Sequence, residues 1–66
     1  MMTEFEKLIE QEKTRENVFV TRKSDGEEGV ASVNLYNQVA VYIGADDGSD
    51  DVVISREQFN KEYFVQ

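Results

Sequence analysis

Sixty-six residues make one domain at most, and a chain of this length buries only about 60% of its unfolded surface, so its stability rests on a small core or on a partner. There is no Cys and no His, which removes disulfides, ordinary zinc sites and every Ser–His or Cys–His nucleophile system. The net charge of −7 argues against direct binding to a nucleic-acid backbone, where Lys and Arg must neutralise phosphates.

Leu, Ile, Val and Phe supply 18 residues, above the roughly 20% below which chains tend to stay disordered. A folded single domain over 1–66 is therefore expected. No apolar run approaches the roughly 18 residues of a membrane span. The first six residues have neither a basic flank nor an apolar core, so no signal peptide is expected there, and the expected location is the cytoplasm.

Thr3-Glu4-Phe5-Glu6 has the spacing of a capping box, with Thr3 as N-cap and Glu6 three positions on. Phe5, Leu8 and Ile9 follow at i, i+3, i+4, which predicts a helix over roughly 4–14 with a short apolar stripe that docks loosely or meets a partner. Asn17 to Lys23 is a β-branched run with Val18 and Val20 on one face and Phe19 and Thr21 on the other. Asp25-Gly26 within Ser24–Gly29 is a turn signal. A second strand is predicted over Val30–Tyr36, with Ala31, Val33 and Leu35 on one face, and Asn37-Gln38 as a weaker turn. A third runs from Val39 to Ile43, with Ala40 and Tyr42 opposite Val39, Val41 and Ile43. Gly44–Asp51 is an Asp- and Gly-rich connection, and Val52-Val53-Ile54 is a short fourth strand. Ser55-Arg56-Glu57-Gln58 repeats the capping pattern and opens a helix to about Phe64, with Phe59, Tyr63 and Phe64 as its apolar contacts.

The pattern reads α-β-β-β-β-α: an α+β fold, an antiparallel β-meander of three to four strands with one helix at each end. The three-strand version has Ser32–Gln38 as a helical turn. Whether the helices share one sheet face or cover one each stays open.

The charge is unevenly placed. Between Ser24 and Ser55 stand seven acids, Asp25, Glu27, Glu28, Asp46, Asp47, Asp50 and Asp51, and no Lys or Arg, while the flanks hold equal numbers of acids and bases. In a meander, alternate turns lie at the same end of the sheet, which would gather these acids on one rim. Such a rim would attract a basic protein surface. Acids also favour turns for conformational reasons and discourage edge-to-edge aggregation, which is the plainer account of the same residues.

The aromatics give a second candidate surface. If the valine-rich face is the helix-covered one, Phe19, Tyr42 and with them Tyr36 emerge opposite, as a patch of the kind that marks interfaces. Catalysis has few tools: there is no Gly-x-Gly-x-x-Gly and no phosphate-binding loop with its Lys, and no catalytic residue, metal ligand or cofactor is assigned. Asp46–Asp51 fails the EF-hand pattern, because Ile54 stands where that pattern needs Glu, although oxygen ligands suit a weak divalent-ion contact.

The expected function is that of a small non-catalytic protein-binding module acting on a basic site of a larger protein, an inhibitor or nucleic-acid mimic being one version. The alternatives are a structural or assembly protein, with a homodimer built on the apolar sheet face, and a weak ion-binding module.

Overall fold

The computed structural model describes residues 1–43 and 51–66. Helix α1 spans Glu4–Glu12 and opens on the expected capping box. Glu6 donates its amide to Thr3 Oγ1 at 3.1 Å, and Thr3 donates its amide to Glu6 Oε1 at 2.8 Å. Phe5 and Leu8 are buried and Ile9 is exposed, so the apolar stripe is a single i, i+3 pair.

The helix is nonetheless firmly docked, contrary to the loose contact its short stripe suggests. Its polar side chains take up backbone groups of the sheet. The Val33 amide donates to Glu12 Oε1 at 3.0 Å, and Gln11 Nε2 donates to the Gln66 carbonyl at 2.9 Å. The Phe5 amide in turn donates to Asn60 Oδ1 at 2.8 Å.

Five strands follow among the described residues: β1 Val18–Arg22, β2 Glu28–Val33, β3 Val39–Ile43, β4 Val52–Ile54 and, after helix α2 at Arg56–Glu62, β5 Tyr63–Val65. They form one antiparallel sheet in the order β4-β3-β2-β1-β5. The first four strands are the expected meander, and the class is α+β.

The second strand begins at Glu28, inside the span Ser24–Gly29 expected as turn, and two further boundaries differ from the sequence expectation. The second strand stops at Val33 and not at Tyr36, because Asn34 starts a tight turn. Its side-chain Oδ1 accepts the amides of Tyr36 and Gln38, both at 2.9 Å, and Asn37 closes the turn at φ +60°, a conformation Asn tolerates. Leu35, expected on the core face, is therefore 98% exposed. The helical-turn alternative over Ser32–Gln38 also yields, since Ser32 and Val33 are strand.

The second correction is at the C-terminal end. Helix α2 begins with Ser55 Oγ accepting the Gln58 amide at 3.1 Å, but it ends at Glu62 and not near Phe64. Tyr63 turns extended, and Tyr63-Phe64-Val65, three good strand formers, pairs with the outer edge of β1.

Alternation then sorts the side chains. Val18 and Val20 of β1, Ala31 of β2, and Val39, Val41 and Ile43 of β3 join Phe5, Leu8, Phe59 and Tyr63 in one buried cluster. Both helices contribute to that cluster, so both cover the same face of the sheet. Phe59 is fully buried and stacks on Tyr63 with ring centroids 5.5 Å apart.

Gly29 marks a close approach between strands. A Cβ there would run into the Tyr42 carbonyl oxygen and lie 2.8 Å from Ile43 Cδ1. Only glycine leaves room for β3 at this rung.

Candidate protein-binding surface

With both helices on one side, the other face of the sheet has no covering layer among the described residues. Register fixes what it displays. Phe19 pairs with Val30 and Val30 with Tyr42, giving one straight row across three strands. Ser32, Ala40 and Val53 form the next row. Phe64, Thr21 and Glu28 form a third. Phe19 is 52% exposed, Tyr42 47% and Phe64 52%, and Val53 is exposed beside them.

Between the two rings of the first row lies a shallow, mainly apolar trough of about 360 Å³, lined by Phe19, Glu28, Gly29, Val30 and Tyr42. At its end, Gln66 Nε2 donates to both Thr21 Oγ1 at 2.9 Å and Glu28 Oε2 at 3.0 Å. At the β5 edge Lys23 Nζ sits 4.8 Å from the Phe64 ring centroid, a cation over an aromatic ring, and donates to the Asn60 carbonyl of α2.

The structure thus brings Phe19 and Tyr42 together as the alternation implies. It sets Tyr36 apart, exposed in the β2–β3 turn beside Leu35 at the far end of the sheet. It adds Phe64, which the sequence reading placed on a helix. The signal that could have found it is the Tyr-Phe-Val triplet after Glu62, together with the uncovered edge that a four-strand meander leaves on β1.

The acids are less uniform than their sequence positions suggest. Asp25 is engaged by Arg22 through two contacts, Nε to Oδ1 at 3.0 Å and Nη2 to Oδ2 at 2.6 Å, and also accepts the Glu27 amide. The Arg22 guanidinium and that amide hold its carboxyl down at about 2. Asp25 therefore serves first as a turn organiser. Glu27, Glu28 and Asp51 are exposed. The pairings Gly29–Ile43 and Val41–Val52 put Glu28 and Asp51 at the same end of the sheet. Asp46, Asp47 and Asp50 lie outside the described residues, and with them most of the segment expected to suit a weak divalent-ion contact. Among the described residues, no three acidic side chains gather as a metal site, and no helix is long and apolar enough to cross a membrane.

Comparison with protein-family models, curated proteins and solved structures finds no match.

Proposed function

We propose that this chain is a non-catalytic protein-binding module that docks through the open face of its sheet onto an apolar site with a basic rim on a larger protein. The observation that carries this is the one-sided placement of α1 and α2, which leaves Phe19, Tyr42, Phe64 and Val53 exposed on a single surface. Exposed aromatics grouped in this way supply contact area at low conformational cost and are enriched at interfaces. Glu28 and Asp51 at one end of that face, within a chain of net charge −7, favour a cationic rim on the partner.

The nucleic-acid-mimic version needs several free carboxylates spaced like phosphates. Asp25 supports it least, being tied to Arg22. An interface centred on the aromatic row with acids at its margin fits the geometry better.

The test is capture from the cells that make the protein, with the wild type as bait beside Phe19→Asp and Tyr42→Asp. The expected result is a partner retained by the wild type and lost by both variants, with retention weakening as salt is raised. Equal retention by all three baits would reject the open face as the docking surface.

The same apolar face supports a second reading, a homodimer joined face to face. Burying Glu28 of each copy against a second acidic chain opposes it. A mass in solution that doubles with concentration, and reverts in Tyr42→Asp, would favour the dimer.

A further inference from the structure

We infer that the trough between Phe19 and Tyr42 is a receptor for one arginine side chain of the partner protein, with Glu28 receiving its guanidinium. The inference rests on the proposal that the open face is the docking surface, and it names the chemistry recognised there.

Three features point to a cation with an apolar stem. The trough is walled by two rings and floored by Val30, so its middle favours methylene groups. Glu28 lies two residues from Val30 on the same strand and face, about 7 Å along it, so the apolar floor leads to a carboxylate within the reach of an arginine stem. A wholly apolar ligand filling the trough would strip water from that carboxylate without replacing it, which is unfavourable.

Glu28 is also prepared for such a partner. Gln66 holds it through Oε2, and among the described residues no Lys or Arg forms an ion pair with it. Arginine suits the site better than lysine because a planar guanidinium can stack on a ring while its fork of donors meets a carboxylate.

The probe is an acetylated, amidated Gly-Ala-Arg-Ala-Gly peptide, titrated into the full chain and followed by NMR of the Phe19 and Tyr42 rings and the Val30 methyls. The control peptide carries citrulline, which keeps the shape and removes the charge. Expected are saturating shifts at those three residues, with the citrulline peptide about fivefold weaker. Glu28→Gln should weaken the arginine peptide by about the same factor while the rest of its spectrum stays unchanged. Phe19→Leu, which removes a ring and keeps the bulk, should weaken it as well.

Equal binding of the two peptides would overturn the assignment. So would unchanged binding by Glu28→Gln, or shifts centred on Asp25 and Asp51 in place of the trough. Partner capture separates the two levels. If the peptide fails but Phe19→Asp still abolishes capture, only the arginine assignment falls. If capture survives Phe19→Asp and Tyr42→Asp, the docking surface itself is wrong.

Discussion

The Glu4 carboxylate accepts the Val65 amide at 2.7 Å, joining the first turn of α1 to the last strand of the sheet. β5 is an edge strand, and its outward donors would otherwise need water or a neighbouring chain. Glu4 takes one of them, and Tyr63 gives its amide to the Phe59 carbonyl at the end of α2. This edge is thereby closed by the protein's own groups. Glu4→Ala should cost about 1.5–3 kcal/mol, the range for losing a hydrogen bond to a charged group, and should speed hydrogen exchange at Val65 more than in the core strands. Denaturant unfolding and amide exchange check the two halves. An unchanged Val65 exchange rate would mean the contact does not form in solution.

Acid should weaken the fold in steps that can be assigned. Burial raises the Glu4 carboxyl, but the Val65 amide and Lys7 outweigh it and leave it below its ordinary 4.5. The Thr3 amide and hydroxyl lower Glu6 in the same direction. Asp25 is held at about 2 against an ordinary 3.8 by Arg22 and the Glu27 amide. All three are depressed in the folded state, so their stabilisation is complete above their unfolded values and is lost as pH falls through the folded ones. The denaturation midpoint should be flat near neutrality and decline from about pH 4.5 downward, with Asp25 contributing between 3.8 and about 2. Asp25→Asn should make the decline between 3.8 and about 2 shallower and leave its onset near pH 4.5 in place.

Gly29→Ala tests the close approach of β2 and β3. The added methyl meets the Tyr42 backbone oxygen, which cannot move without opening the ladder. A loss of about 1–3 kcal/mol is expected, typical of forced overpacking. Its measurement is the shift in denaturant midpoint at unchanged slope. Retention of full stability would show that the strands separate more easily than their geometry implies.

The two faces of the sheet should respond in opposite ways to substitution. Phe59→Ala removes a fully buried ring and should cost about 3–5 kcal/mol, a large fraction of the stability a domain of this size can have. Phe19→Ser and Tyr42→Ser touch only cross-strand neighbours on the open face and should cost about 1 kcal/mol or less each. Thermal unfolding distinguishes them. If Tyr42→Ser unfolds the chain as Phe59→Ala does, the ring is structural, and its exposure is not a sign of binding.

Much of this arrangement is legible in the sequence because local signals and tertiary structure agree. The Thr3 and Ser55 caps, the alternation of Val18 to Thr21 and of Val39 to Ile43, and the Asp25-Gly26 turn all appear where the residues put them. Strand β5 is only faintly legible, in the Tyr63-Phe64-Val65 triplet, because Phe59 and Tyr63 stand four apart and reach the core by a helical spacing as well as by the break at Tyr63. The choice is made by the vacant edge of β1, a tertiary fact. Phe64 follows from it: on a helix it is one more core contact, and on β5 it belongs to the open face. Tyr36 leaves the sheet for a local reason. The Asn34 side chain captures two backbone amides and ends the strand, and alternation cannot register that.

The most direct test of the open face is cross-saturation from the bound partner to the methyl groups of this chain. Val30 and Val53 lie on the proposed docking face, Ile9 is exposed on α1, and Leu35 is at the tip of the β2–β3 turn. Saturation transfer should reach Val30 and Val53 and leave Ile9 and Leu35 unaffected. Transfer to Ile9 or Leu35 with Val30 and Val53 silent would contradict the account.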